Sequence, residues 1–291
     1  MRDKKANANG GFVLILVLLI VAALMAVAVD FAYGVYVNIS GIHNLQTMEQ
    51  LSVEGSSLID SSAGVFLQAL SQGEIPLDEK EMEIPMDDGT DVYFQAGDEN
   101  SKFNVNTLVS PNGDLNKDAY DSFKRLLKGL NLDEGLADKI VGWINPEALP
   151  SPAAGSGAQS VKNGFLTSTP ELRLFIDRAS YDTLKNYVTI YGDGLIDINS
   201  ATAPVLMSLS DEVTPDLAGR IIERRKLEPF KNTGELSQVA GFERLGMDLA
   251  PKITVSSSAV GITASAKREG ITRVVEGVLD TTGKILYWRE Y

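Results

Sequence analysis

The sequence predicts an α+β chain: a very long N-terminal helix, then an antiparallel sheet interrupted by a large helical insertion. Three observations predict it. An apolar, helix-patterned stretch opens the chain, helical patterns fill its middle, and short β-branched and aromatic runs broken by glycine close it. Among 291 residues there is no cysteine and one histidine, His43. Disulfides, thiolate nucleophiles and Cys-based zinc sites are thereby excluded, and a histidine metal centre or a Ser-His-Asp triad would have to be built on His43. The net charge of −13 opposes general binding to nucleic acid, which needs a clustered basic face.

The first element begins with Arg2, Lys4 and Lys5, followed by a charge-free apolar run from Phe12 to Val29. A helix of that length reaches roughly 27 Å, about the thickness of a bilayer core. No Lys or Arg recurs until Lys80, so the basic flank places the N-terminus in the cytoplasm and the bulk of the chain across the membrane. A secretory signal carries its small-residue cleavage site after the apolar stretch. Here Gly10-Gly11 precede it. Beyond Val29 the residues Ile42, Leu45, Met48, Leu51, Leu58, Ile59, Phe66 and Leu70 recur at spacings near three and four. With no proline before Pro76 and a stop signal at Gly73, one helix is predicted over 12–72, roughly 90 Å long.

The acidic, proline-bearing stretch 73–90 reads as a connector. VYFQAG (92–97) and KFNVN (102–106) alternate apolar and polar residues around GDENS, which predicts a hairpin. Helices are predicted at 119–130 and 132–144, followed by a Pro/Gly/Ser/Ala loop over 146–164. Thr169 reads as the N-cap of a helix over 169–176, with proline in its first turn. DINSATAPVLMSLS (197–210) reads as a further helix start, and 214–242 as two helices joined at Glu228-Pro229-Phe230. After Pro251 the pattern is strands. A hairpin alone is marginal in water, so the early strands and the late ones are assigned to one sheet. The predicted division is a leader over 1–11, a membrane helix over 12–29, amphipathic helix and first strands over 30–107, the helical insert over 108–251 and closing strands over 252–291.

A short basic leader, Gly11-Phe12 at the junction, an apolar helix and its amphipathic continuation resemble the class III signal of type IV pilins and type II secretion pseudopilins. The resemblance implies cleavage between Gly11 and Phe12 by a prepilin peptidase, and methylation of the new amine of Phe12. Most members carry glutamate at the fifth mature position, where this chain has Leu16. A carboxylate at that depth costs roughly 2.5–3.5 kcal/mol and needs a partner, thought in the family to be the amine of the preceding subunit. A subunit with nothing ahead of it has no amine to neutralise, so Leu16 suggests a filament tip.

The stretch 198–242 is similar to a helix-hairpin-helix or SAM-like unit. The Gly-x-Gly hairpin that would bind a DNA backbone is absent, and the basic group Arg220, Arg224, Arg225 and Lys226 is flanked by Glu223 and Glu228. KFNVNTL (102–108), WINPE (143–147), KNGFLTSTPELRLF (162–175), DINSATAPVL (197–206), FKNTGEL (230–236) and LYW (286–288) resemble, in order, landmarks of the K-type minor pseudopilins of type II secretion (the general secretion pathway protein K family). The resemblance implies a pilin-like fold with an inserted SAM-like domain and a non-enzymatic subunit in the inner membrane, its main domain periplasmic. It also implies a role in initiating and capping the pseudopilus with I- and J-type partners. The prepilin peptidase, the inner-membrane assembly platform and exported substrates complete the expected partners, with no nucleic acid among them. Within the membrane the small residues Ala22, Ala23, Ala26 and Ala28 are candidate close-contact positions.

Family members hold calcium in acidic loops, one near Trp-Ile-Asp-Pro-Asp; here those acids are Asn145 and Glu147. Asp114, Asn116 and Asp118, with Asn112 before them and Asp121 beyond, form the better calcium candidate, although the glycine and distant glutamate of an EF-hand are missing. A solvated turn and helix cap is the competing reading of the same residues. No catalytic constellation emerges, and GDGLIDIN (192–199) lacks the strand–loop–helix context of a phosphate loop. Two other readings share the address: a competence-type DNA receptor and a minor pilin of a type IV pilus.

Overall fold

The computed structural model describes residues 9–72, 82–85, 90–149 and 162–291. The leader residues 1–8 and most of the predicted connector 73–90 and loop 146–164 lie outside the described residues. Helix α1 (Asn9–Gln72) is continuous over 64 residues, roughly 96 Å by its rise, as the periodicity predicts. Its segment Leu14–Ser57 contains an 18-residue window of mean hydropathy 3.0, long and apolar enough to cross a membrane. Strand β1 (Met82–Pro85) lies inside the stretch read as connector, and β2 (Asp91–Asp98) follows it.

The chain then leaves the sheet. It passes through β3 (Phe103–Asn104), α2 (Lys117–Gly129), α3 (Leu136–Ile144), α4 (Arg178–Leu184), β4 (Val188–Thr189) and β5 (Ile196–Asp197). Next come α5 (Ala203–Ser208), α6 (Pro215–Leu227), α7 (Leu245–Leu249) and β6 (Ile253–Thr254). Finally β7 (Ala259–Arg268), β8 (Ile271–Asp280) and β9 (Ile285–Glu290) return it to the sheet. The sheet has the order β1-β2-β7-β8-β9, antiparallel throughout, so strands from before and after the insert share one layer.

Several local expectations need correction; the second helix expected within 214–242, for one, is a 3-10 segment, Thr233–Gln238. VYFQAG does not pair with KFNVN: β2 pairs with β1 and β7, while Phe103–Asn104 pairs in parallel with β4 inside the insert. The reason is GDENS, which forms a 3-10 turn over Glu99–Ser101 rather than a hairpin loop; Asp98 caps it by accepting from the Asn100 amide at 2.7 Å. The helix expected over 169–176 is a 3-10 segment, Thr169–Leu174. Its cap is Ser168, in a capping box with Glu171, so Thr169 is its first residue. Residues 196–197 are strand rather than helix start, because Ile196 and Asp197 pair with Ile253 and Thr254. This pairing and that of β3 with β4 also move the insert's edges outward. The boundaries 108 and 251 become 99 and 258, and β6 belongs to the insert rather than to the closing strands.

One face of the sheet carries Phe94, Ala96, Val260, Ile262, Ala264, Val275 and Leu279, buried together, with Trp288 against them. Leu51 of α1 packs with Val92 and Ala266. At Gly55 a Cβ would lie 2.9 Å from Cγ2 of Val275, so glycine there lets α1 seat on β8. The insert builds its own, larger core, which runs from Phe103 to Ile253 and includes Phe123, Leu126, Ile140, Leu172, Leu206 and Phe242.

Candidate functional site

The candidate surfaces of the chain run from the stalk upward. Polar clips on the sheet fix which part of α1 is seated. His43 Nε2 lies 2.9 Å from Glu269 Oε2; Arg268 donates to Gln50 at 3.1 Å and to Glu54 at 3.0 Å; Glu290 accepts from Ser52 and Ser56. These contacts orient the sheet. Arg268 ends β7 and Glu269-Gly270 form the β7–β8 turn, so that turn points back along α1 toward the apolar segment. Asp98 and Ala259, where the insert leaves and returns, lie at the far end. N-terminal to His43 the described part of the helix stands free, with Phe31, Tyr33 and Tyr36 about seven-tenths exposed, and Leu16 is exposed too. The backbone of Gly11 and Phe12 falls in the first turns of α1, while their side chains lie outside the described residues. His43 is thus an exposed clip paired with Glu269.

The far end is locked by a polar seam. Asn100 donates to Asp193 at 2.7 Å and to the Leu195 carbonyl at 2.9 Å, and accepts from the amide and hydroxyl of Ser258 at 2.8 Å each. Glu99 accepts from Lys102 at 2.9 Å and from Thr189. Asp98 accepts from the Ser200 hydroxyl at 2.5 Å. Asp98, at the end of the sheet, faces Asp197 of the insert. Burial raises the pKa of both carboxyls; hydrogen bonds from Ser200, Ser257 and the Asn100 amide offset part of the rise at Asp98. For Asp197, burial and then the charge of Asp98 push it up to about 8. At neutral pH the pair therefore holds a proton between sheet and insert, since two buried carboxylates side by side cannot both ionise cheaply.

The sequence landmarks are largely inward-pointing asparagines. Asn104 donates to the carbonyls of Tyr191 and Gly192. Asn106 exchanges hydrogen bonds with the backbone of Leu166 at 2.9 and 3.0 Å. Asn145 donates to the Gly113 carbonyl at 2.8 Å, and Asn199 both donates to Phe230 at 2.9 Å and accepts from its amide at 2.8 Å. Each pins a loop whose backbone groups have no helix or sheet partner. Glu171 does the same for 162–171. Burial acts to raise its pKa, yet hydrogen bonds from Lys162 and Thr167 outweigh that and hold it down at about 2.

The calcium candidates do not form one donor set. Asp114 accepts from Asn112 at 2.7 Å, Asn116 caps α2 by accepting from the Ala119 amide at 3.2 Å, and Asp121 faces Lys117 at 3.1 Å. Asp118 lies 3.8 Å from Lys252. Among the described residues no group of three or more His, Asp or Glu side chains is gathered as metal ligands. The arrangement fits a turn and helix cap better than a calcium cage.

The basic group is likewise spent internally. Arg220 faces Asp216 and Arg224 faces Glu228. Arg225 donates to the carbonyls of Ile198 and Ala201, and Lys226 faces Glu223. A duplex would find no free basic face there, which removes the structural support for a DNA receptor.

Two family models match the chain, both described as type II secretion system (T2SS), protein K: the first over residues 101–193, the second over 196–256. The chain belongs to the protein K family of type II secretion. Both matches fall inside the insert, so the family is recognised by the insert rather than by the stalk. As a member, the chain is a minor pseudopilin, a structural component of a secretion apparatus. No curated protein matches it. Among solved structures it is similar to a chain of the GspK-GspI-GspJ complex from the enterotoxigenic Escherichia coli type 2 secretion system. That similarity has 17% identity and a TM-score of 0.63, and covers 84% of this chain and 99% of the other. At that identity the likeness shows the shared pilin-like fold.

Proposed function

We propose that this K-family subunit sits at the tip of the type II secretion pseudopilus. There it starts and caps the filament with I- and J-type minor pseudopilins while proteins are exported across the outer membrane. The observation that carries this is where the insert leaves the sheet. Residues 99–258 emerge at the end remote from the membrane helix, where a subunit stacked above would have to sit. A domain of that size in that place obstructs a subunit above it and is unhindered at a filament end. The solved complex with I and J proteins supports the choice of partners. Leu16 supports the end position, since a subunit with no neighbour ahead has no amine for a carboxylate to neutralise.

Before assembly the subunit rests in the inner membrane with its main domain in the periplasm, after a prepilin peptidase has cut at Gly11 and the Phe12 amine has been methylated. In lipid the partner helices are as apolar as this one, so association there rests on packing shape around Ala22, Ala23, Ala26 and Ala28. Outside lipid, the bare aromatic stretch around Phe31, Tyr33 and Tyr36 is the surface partners cover. The protein performs no chemistry in this role; its mechanism is mechanical.

Two measurements test the proposal. The mass of chain purified from a host with prepilin peptidase should show loss of residues 1–11 and one methyl group on Phe12, and Gly11→Leu should leave precursor. Full-length chain co-expressed with I- and J-type partners should co-purify with both and should not polymerise alone. An intact leader, or filaments of this chain by itself, would overturn the assignment.

A further inference from the structure

We propose that the cleft between the outer face of the sheet and the flank of the insert binds an extended acidic segment of another protein, with Arg173 and Arg289 as its anchors. The register places the cleft on the side away from α1. Phe94, Ala96 and Ile262 face the helix, so the intervening Gln95, Thr263, Glu276 and Arg289 form a polar row on the opposite face. The space enclosed between this row and the insert is about 580 Å³, within the range of peptide and small-ligand sites. Gly97 and Gly261, paired side by side, leave its floor as bare backbone. Its inner end is closed by Glu99, whose carboxylate lies over Gly261 where a Cβ would come within 2.6 Å of it.

The charge of the cleft runs against the rest of the molecule. The chain has 39 acidic and 26 basic side chains, yet Lys102, Arg173, Lys185 and Arg289 line this space against only Glu99 and Glu276. Four of these six are already engaged: Lys102 with Glu99, Lys185 with Asp182, and Glu276 with the Tyr291 hydroxyl at 2.6 Å. Arg173 and Arg289 differ. Neither makes a hydrogen bond or ion pair among the described residues. Each guanidinium lies instead over a tyrosine ring, Arg173 over Tyr181 at 4.4 Å and Arg289 over Tyr291 at 5.0 Å. A ring held beneath the guanidinium orders its plane and leaves its N–H edges for a carboxylate. The two arginines come from opposite walls, one on the insert and one on β9, so a ligand meeting both spans the cleft. An extended chain with at least two carboxylates fits that layout, and a lysine-rich or neutral chain does not. The inference stands on the cleft and its charges and does not depend on the tip assignment.

The test uses full-length chain in zwitterionic detergent micelles and a short fluorescent aspartate-rich peptide, followed by anisotropy. Lysine-rich and serine-glycine peptides of equal length serve as comparisons. The expected result is binding of the aspartate peptide alone, weakening as salt rises. Arg173→Gln with Arg289→Gln should weaken it at least about tenfold, roughly 1.4 kcal/mol. Lys128→Gln with Arg244→Gln removes equal charge elsewhere on the insert and should leave binding unchanged. Both cleft arginines are exposed, so the melting curve should not move; if it does, Arg289→Glu alone repeats the reading. No binding of the aspartate peptide, equal binding of the neutral one, or equal loss in both double variants would overturn the proposal.

Discussion

Phe123 and Phe242 lie wholly buried in the insert, whereas Phe31, Tyr33 and Tyr36 on the stalk are 73%, 67% and 69% exposed. The same kinds of side chain therefore serve two purposes. Among the described residues, the insert gathers its apolar residues into one cluster and ties its loops with half-buried asparagines, so it closes a core of its own. Among the described residues, the pilin-like half has two small clusters and a helix held by polar clips between His43 and Ser56. Among the described residues, its apolar surface N-terminal to His43 is left bare. A bare apolar helix needs lipid or a partner to cover it, whereas a closed core does not.

If that contrast is right, the largest single effect belongs to the insert core. Phe123→Ala, at a fully buried ring stacked 5.3 Å from Phe103, should cost about 3–5 kcal/mol in a denaturant melt. It should leave membrane insertion and leader cleavage unaffected; loss of both together would mean the two halves fold as one unit.

The next test concerns the seat of α1. Gly55→Leu should cost about 1–3 kcal/mol by overpacking Val275 and should split the helix from the sheet, visible as faster amide exchange in β8. Gly41→Leu, where nothing lies within 4 Å of the added Cβ, should be neutral or stabilise by up to about 1 kcal/mol through helix propensity. Equal costs at the two glycines would erase the distinction between seated and free helix.

The junction has a pH signature. Asp197 ionises near 3.8 when unfolded and at about 8 in the fold, so the native state holds its proton longer. That contribution to stability is complete below about pH 4 and is lost as pH rises toward 8, a tenfold difference in proton affinity being worth about 1.4 kcal/mol. Asp197→Asn should flatten this slope and raise the melting temperature at pH 8; an unchanged slope would show that the pair is not buried together. The smallest effect is expected at the exposed pair Arg220–Asp216. There Asp216→Ala should cost under about 0.5 kcal/mol, because water screens both partners.

Much of this is legible in the residue order. Helix α1 can be read from apolar spacing and the lack of proline, and its observed ends differ by only a few residues from 12–72. The closing strands and the two-part sheet are legible for a similar reason, since alternation reports one buried face. KFNVN misleads because alternation does not say which strand a segment pairs with; its partner, Val188–Thr189, lies far along the chain. Strand β1 is invisible, since four residues with a closing proline carry too little pattern. Among the site residues, the asparagines of the landmarks can be singled out, but not their partners. Asn100 and Asp98 give only a capping signal, and their role as the hinge of the seam depends on residues about a hundred positions away.

Local order alone determined the apolar stalk, the Gly11-Phe12 step at its start and the alternation of helix-forming and strand-forming stretches. Those properties depend on side-chain chemistry within a few turns of chain. Only the tertiary structure decided that the insert stands at the far end of the sheet, that Asp98 and Asp197 meet, and that two arginines face each other across a cleft. Each of these joins residues widely separated in sequence, and loop closure over such distances is set by the packing of the whole core rather than by any local preference.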